Sequence, residues 1–178
     1  GTSDWPVYSS GLTSAAYRIL LNSNVAEDTT NDEWNSTAPT TVSPFVFSVG
    51  NGGNVSDNGQ SFIAYCFANS PGYQQAASYS GSSSSVTINF DGAGFNPSFV
   101  MIKRTNATGQ LKDWTMFDQS LSGSTTMNDY LIANSIAAEF TNSGSEVITA
   151  TSTGFTIAGG VWDGINASGG EYLYLAVK

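Results

Sequence analysis

The stretch DWPVYSS, residues 4–10, has a counterpart in DWTMFDQS, residues 113–120, and this pair decides how the rest of the chain is interpreted. Each places an aspartate before a tryptophan, an apolar residue two positions after that tryptophan, and an aromatic residue next. Asp113 lies 109 residues after Asp4. Side chains that occur twice in one chain more often belong to a scaffold than to a reactive site.

Further matches follow in the same order at nearly the same spacing. The pair Asn22-Ser23 recurs as Asn134-Ser135, 112 residues later. The remaining matches are Ala26-Glu27 with Ala138-Glu139, Asn54 and Ser56 with Asn166 and Ser168, and Phe62 with Tyr172. We therefore interpret 4–68 (the first repeat) and 113–178 (the second repeat) as diverged copies of one motif. They are joined by 69–112 (the middle segment) within a single domain spanning 1–178.

Alternation of apolar and polar residues predicts strands through most of the chain. Such runs occur at 17–21, 45–49, 86–90 and 155–157, with segments rich in Gly, Asn and Ser between them. Three further runs are apolar on both faces and are expected to be covered on two sides: FIAYCF at 62–67, FVMIK at 99–103 and YLYLAVK at 172–178.

These short strands predict an all-β fold with little helix. The expected architecture is a jelly-roll-like β-sandwich built from two related halves packed face to face. The best helix candidate is 129–140, and its apolar stripe is weak.

Several single residues are assigned to this scaffold. Trp5 and Trp114 are expected to anchor the two repeats by burial, each with its indole N–H on an acceptor. Pro6 cannot donate to a strand ladder, so its strand is expected at a sheet edge. Cys66 is the only cysteine, which excludes an internal disulfide, and its apolar surroundings in the sequence predict a small core residue.

The composition excludes several classes of partner. The net charge is −9 with only five basic residues, so neither nucleic acid nor an anionic membrane surface is expected to bind. No apolar run reaches about 18 residues, so membrane insertion is not expected. Only 11% of residues are charged, a composition common in extracellular β-proteins. The start, GTSDW, lacks Met and shows no signal peptide, which favours a processed protein or a fragment.

Catalytic and metal sites are disfavoured. Histidine is absent, which excludes Ser-His-Asp and Cys-His nucleophilic sites and histidine-ligated zinc. Glycoside hydrolysis needs only two carboxylates, and Asp113 and Asp118 flank Trp114. Because Asp4 repeats Asp113, a structural role is favoured and no enzyme is expected. Oxygens in NVSDNG (54–59) suit calcium, but turns favour the same residues, so neither a metal nor a cofactor is expected.

The order of longer motifs carries a resemblance to a known group of proteins. These motifs are LLNSNVAE (20–27), TAPTTVSPFVFSVG (37–50), GGNVSDNGQSFIAYCFANSPGYQQAASYSG (52–81), GAGFNPSFVMIKRTNATGQLKDWTMFD (92–118), YLIANSIAAE (130–139), STGFTI (152–157) and NASGGEYLYLAV (166–177). Over nearly the whole chain the sequence resembles a recurring β-rich domain of tail-fibre and other structural proteins of tailed bacteriophages, marine ones especially. The resemblance implies a virion location and supplies no catalytic residues.

Four aromatic residues in polar loops are the candidate carbohydrate-binding residues: Trp34, Tyr73, Tyr79 and Trp162. An aromatic ring can stack on the apolar face of a sugar while neighbouring amides and carboxylates bind its hydroxyls. Trp34 and Trp162 are 128 residues apart, outside the repeat spacing. The alternative, which carries more weight, is that loop aromatics plug the ends of the sandwich.

The residues and the resemblance together predict a non-enzymatic phage virion module of the tail-fibre or appendage type, with host-surface carbohydrate as the candidate ligand. Its other expected partners are virion proteins and further copies of itself in a homo-oligomer, with a trimer favoured. The alternatives are a capsid decoration or filament-forming subunit and, with less support, a polysaccharide-degrading spike fragment.

Overall fold

The chain folds as an all-β sandwich, as the alternation predicts, and the fold is seen in a computed structural model that describes residues 4–29, 32–34, 46–109, 112–142 and 147–178. The strands are β1 (Pro6–Val7), β2 (Ile19–Leu20), β3 (Gln74–Ser80), β4 (Val86–Asn89), β5 (Phe99–Arg104), β6 (Thr115–Asp118), β7 (Thr126–Met127), β8 (Tyr130–Ile132), β9 (Ile148–Thr151), β10 (Gly154–Ile157) and β11 (Glu171–Val177). The described helices are single turns, α1 (Gly53–Ser56) and α2 (Gln119–Ser122).

Two large antiparallel sheets enclose the main core. One sheet has five strands in the order β3-β11-β5-β6-β8, and the other has four in the order β4-β10-β9-β7. Alternate residues of β11, namely Tyr172, Tyr174 and Ala176, point into this core, where Phe155 packs edge-on to Tyr174 at 5.3 Å between ring centroids. The two-residue period of side chains along β11 therefore matches the positions that are buried in the core, as expected where two sheets pack face to face.

The first repeat forms a third layer on the outer face of the five-stranded sheet. Strands β1 and β2 pair antiparallel, and Leu12 and Ile19 pack there with Leu173 and Trp114. The indole Nε1–H of Trp114 donates to the carbonyl of Leu20 at 2.7 Å, as expected of its burial. Both large sheets thus take their strands from residues 74–177, so the two repeats contribute unequally to the sandwich.

The two repeats share local hydrogen bonds at matching positions. Trp5 N–H donates to Asn22 Oδ1 at 3.0 Å, and Trp114 N–H donates to Asn134 Oδ1 at 3.0 Å. Further bonds of the first repeat recur in the second. Leu21 N–H to Trp5 O corresponds to Ala133 N–H to Trp114 O, and Val25 N–H to Ser23 Oγ corresponds to Ala137 N–H to Ser135 Oγ. The reciprocal backbone bonds between Arg18 and Asp28 correspond to those between Tyr130 and Phe140. Diverged copies of one motif would be expected to keep such bonds, and the repeat of 4–68 in 113–178 stays a prediction.

Strand register matches as well. Pro6 pairs with Leu20 in the first repeat, and Thr115 pairs with Ile132 at the corresponding positions of the second. In the described residues β1 pairs only with β2, so the strand that contains Pro6 lies at an edge, as its missing N–H predicts.

Three sequence expectations about the first repeat are wrong. Trp5 is 58% exposed, whereas Trp114 is 6% exposed, so only the second tryptophan is a buried anchor. Cys66 is exposed rather than in the core, and the run 62–67 forms no described strand. The reason is that its counterpart β11 lies between β3 and β5, whereas 62–67 has no strand beside it among the described residues.

The helix expectation at 129–140 is also wrong. Tyr130–Ile132 is strand β8, which pairs with β6, and no helix follows it in the described part of the chain. The hydrogen bonds and packing gained by pairing with β6 outweigh the weak helical preference of this segment. The strands predicted at 86–90, 99–103, 155–157 and 172–178 are confirmed. In the run 45–49, Phe45 lies outside the described residues, and Phe47 and Val49 are exposed.

Candidate functional site

A cleft of about 380 Å³ lies where the Asn-Ser pairs of the two repeats meet. Asn134 follows β8, which pairs with β6, and the end of β2 is held beside it because the Trp114 indole N–H donates to Leu20 O. The lining residues are Asn22, Ser23, Asn24, Asp113, Thr115, Tyr130, Ile132, Asn134, Ser135, Phe140 and Trp162. The cleft therefore combines amide, hydroxyl and carboxyl groups with three aromatic rings.

The aromatic rings of this cleft form one continuous cluster. Tyr130 and Phe140 stack with their centroids 5.0 Å apart and their planes at 8°, because reciprocal backbone bonds hold Phe140 against the outer edge of β8. The ring of Trp162 lies 4.8 Å from that of Tyr130 and also contacts Phe117 in the core. Phe140 is 43% exposed, so the cluster presents apolar ring surface to solvent.

The polar side of the cleft is held in place by hydrogen bonds. Asn134 accepts from the backbone N–H of Trp114 and donates from Nδ2 to Asp113 Oδ1 at 2.7 Å. Asn22 is exposed, and its amide oxygen accepts from Trp5 N–H. Fixing each amide oxygen on a backbone donor orients the side-chain NH₂ groups, which favours a pre-organised binding surface.

Burial shifts the pKa of Lys103, which lies near the cleft residue Asp113, and of Tyr130 in the cleft. Desolvation lowers the pKa of Lys103 to about 8, although the negative charge of Asp113 opposes that fall. The Lys103 ammonium donates to the carbonyls of Val25 at 2.9 Å and Lys112 at 2.6 Å. Burial also raises the pKa of the Tyr130 phenol, so its hydroxyl remains a donor at neutral pH.

The two aspartates considered for glycoside hydrolysis have structural partners. Asp113 lines the cleft and binds Asn134, whereas Asp118 caps α2 by accepting from Ser120 N–H at 2.7 Å. Asp118 is not in the cleft lining, so Asp113 is the single carboxylate there among the described residues. A retaining or inverting glycosidase needs two carboxyl groups on opposite sides of one bond. Asp113 and Asp118 do not form such a pair in this cleft.

The structure separates the four aromatic residues that the sequence singled out. Trp162 lines the cleft and Tyr73 is 57% exposed elsewhere. The expectation of an accessible Trp34 is wrong, because it is 8% exposed and packs edge-on to Tyr8 at 5.8 Å. Tyr79 is a packing residue as well.

The ring of Tyr79 stacks on Tyr172 with centroids 4.9 Å apart, and its hydroxyl donates to the carbonyl of Ile165 at 2.6 Å. One ring face and the hydroxyl of Tyr79 are therefore occupied by the protein, and Tyr79 lies in strand β3 rather than in the polar loop that the sequence indicated. Sequence reasoning missed Tyr130, Phe140 and the two Asn-Ser pairs. The repeated Asn-Ser spacing was the available signal, since it places both pairs at equivalent strand ends.

Other kinds of site are not found in the described part of the chain. There, no three of its cysteine, aspartate and glutamate side chains lie close enough together to hold a metal ion. No helix within the described ranges is long and apolar enough to cross a membrane.

Comparison with known proteins gives the family and nothing about activity. No curated protein and no solved structure matches the chain. A family model described as a domain of unknown function, DUF7483, matches residues 1–178, and the chain therefore belongs to the DUF7483 family.

Proposed function

We propose that the chain is a non-enzymatic, carbohydrate-binding structural module of a phage virion, of the tail-fibre or appendage type. The observation that carries the binding role is the cleft, in which the ring cluster of Tyr130, Phe140 and Trp162 lies beside fixed amides. Its ligand is a host-surface glycan, and its location is the extracellular particle.

The chemistry of the cleft suits a sugar. The C–H face of a pyranose packs on an aromatic ring, and its hydroxyls both donate and accept. The cleft contains amide N–H donors and amide oxygen acceptors from Asn22, Asn24 and Asn134, and Asp113 adds a carboxylate acceptor. The volume of about 380 Å³ lies within the roughly 300–1,000 Å³ typical of small-molecule sites.

The virion assignment is supported by the resemblance to phage tail-fibre domains over nearly the whole chain. A symmetric homo-oligomer, with a trimer favoured, would present several clefts to one cell surface. Linked weak sites bind much more tightly than each alone, often by about 10²–10⁴-fold. An adhesin built in this way needs no catalytic group.

A second candidate function is an assembly subunit, such as a capsid decoration or filament protein. The favouring observation is the exposed apolar surface of Phe47, Phe62, Ile63 and Tyr65. Exposed apolar patches of this kind usually mark contacts with other proteins. Size-exclusion chromatography distinguishes the two, because long polymers favour the filament and a compact trimer suits a fibre module.

A glycan array followed by titration calorimetry tests the carbohydrate-binding role. We expect Phe140→Ala and Trp162→Ala each to weaken binding of the best ligand by about 2- to 12-fold, since each removes a stacking ring worth roughly 0.5–1.5 kcal/mol. Tyr73→Ala is the matched control, because Tyr73 is an exposed aromatic outside the cleft. Unfolding midpoints must be compared so that loss of fold is separated from loss of a ring.

The proposal fails if no glycan binds, or if binding survives both cleft substitutions. Release of reducing sugar from a capsular polysaccharide, abolished by Asp113→Asn, would instead show an enzyme.

A further inference from the structure

The segment SFIAYCF, residues 61–67, is an apolar stretch without a covering partner in the described structure. Ile63 is 82% exposed and Tyr65 is 75% exposed, and Phe62 and Phe67 are about half exposed. The segment forms no described helix or strand. Water contact over so much apolar surface is unfavourable by about 25 cal/mol per Å², so a partner that covers it gains that free energy.

The second repeat shows what covers this sequence when its partners are present. At the repeat spacing, Phe62 corresponds to Tyr172 and Cys66 to Ala176, both of which are fully buried in β11. β11 lies between β3 and β5 and pairs antiparallel with both along its length. The segment 61–67 therefore has the sequence of a central strand and lacks the two neighbours of one.

Those neighbours come from the middle segment. β3, β4 and β5 all lie within 69–112, where β3 and β5 flank β11 and β4 pairs with β10. In the first repeat, β1 and β2 correspond to β6 and β8, and PFVF at 44–47 corresponds in sequence to GFTI at 154–157. Within the described residues no strands of the β3–β5 kind stand beside the first repeat.

A second copy of this chain cannot supply β3-type and β5-type strands to the first repeat. Each chain of 178 residues has two repeats and one middle segment, and that middle segment completes its own second repeat. A second copy of the chain therefore has no spare set of β3–β5 strands to donate.

We propose that 61–67 is a docking strand for a further three-stranded segment of the β3–β5 kind, one that no second repeat of its own occupies. The strand 61–67 lies between the β3-type and β5-type strands of that segment, as β11 does, and the β5-type strand pairs with the outer edge of β1. Repeats are then joined to one another by shared sheets. Pro6 stands at the position of Thr115 and cannot donate, so the β5-type strand is held there by one bond fewer. The inference depends on the repeat and is independent of glycan binding.

Cys66 provides the test, because it is exposed in this chain and corresponds to the fully buried Ala176. A second copy of 69–112 is fused directly ahead of Asp4 in the otherwise full chain. We expect maleimide labelling of Cys66 to slow at least about 100-fold in the fusion relative to the unfused chain, since a central strand must open before its side chains react.

A matched control carries Val100→Asp and Ile102→Asp in the added copy only, because both residues are fully buried in β5. Labelling in this control is expected to remain fast. If the fusion aggregates, the free peptide 69–112 is added in excess to the intact chain and is expected to slow labelling in the same direction.

Three outcomes overturn the proposal. Equal labelling rates in the fused and unfused chains show that β3–β5 strands do not dock on 61–67. Labelling of the unfused chain that slows with rising protein concentration shows instead that copies of the chain pair with each other. Slow labelling of the unfused monomer at every concentration shows that 61–67 is covered within its own molecule.

Discussion

Substitution of the two sister tryptophans by phenylalanine should have very different effects on stability. The backbones of Trp5 and Trp114 make the same bonds to Asn22 and Asn134, so the substitutions differ chiefly in side-chain surroundings. Trp114 is 6% exposed and its Nε1–H binds Leu20 O at 2.7 Å, whereas Trp5 is 58% exposed.

The magnitude follows from these surroundings. Trp114→Phe leaves the Leu20 carbonyl without its indole donor, which costs about 1–3 kcal/mol, and the smaller ring leaves space among Leu12, Ile19 and Leu173. We expect a loss of about 2–3 kcal/mol in the free energy of unfolding. Trp5→Phe should change it by less than about 0.5 kcal/mol, as for other exposed positions.

Urea unfolding followed by circular dichroism measures both changes, and hydrogen exchange at the β1–β2 amides reports the third layer directly. Because Trp114 joins β6 to β2, its substitution should also speed exchange in that layer. Equal losses for the two variants would refute the reasoning, since they would mean that burial does not separate the two positions.

Further predictions concern charge, backbone space and a surface ion pair. Lys103 has a pKa of about 8 in the folded protein against an ordinary 10.5, so between these pH values the unfolded chain binds more protons than the folded one. The free energy of unfolding should therefore rise by about 2 kcal/mol from pH 7 to 9.5. Urea unfolding measured at each pH should show this rise, and Lys103→Met should flatten it. Gly154→Ala should unfold the protein at ambient temperature, because the added Cβ would lie 2.0 Å from Ile88 O. Gly160 has open space around it, so Gly160→Ala should lower the free energy of unfolding by only about 1 kcal/mol. Thermal melts of the two variants measure the difference. Asp163→Asn, which weakens the ion pairs of a half-exposed carboxylate with the largely buried Lys112 and Arg104, should cost about 1 kcal/mol, and that loss should shrink in high salt.

Local sequence pattern was sufficient for β4, β5, β10 and β11 of the main sandwich, but not for β3, which looked like a polar loop, or β8, which looked helical. β5 and β11 have apolar residues on both faces, and such runs have few stable alternatives to a central strand. The repeat spacing also indicated which backbone positions of the two copies correspond. These features depend on neighbours in sequence, which the sequence shows directly.

The exposed state of 61–67 could not be predicted from that pattern. It has the same kind of sequence as β11, and the difference lies in whether β3 and β5 stand beside it. The cleft has the same difficulty, because Asn22, Asp113, Phe140 and Trp162 come from distant parts of the chain. Trp34 stands in a polar stretch and is still buried, with the distant Tyr8 packed edge-on against its ring.

The position of β11 has a mechanical consequence. Antiparallel neighbours hold both of its edges, and the ladder continues at its end, where Lys178 N–H donates to Tyr73 O and Ser98 N–H donates to Val177 O. Tension along this strand loads those bonds in shear, so many must break together before the strand slides. A two-stranded pair such as β1 and β2, pulled apart from one end, yields one bond at a time. The molecule should therefore resist stretching through β11 and extend first at the first repeat.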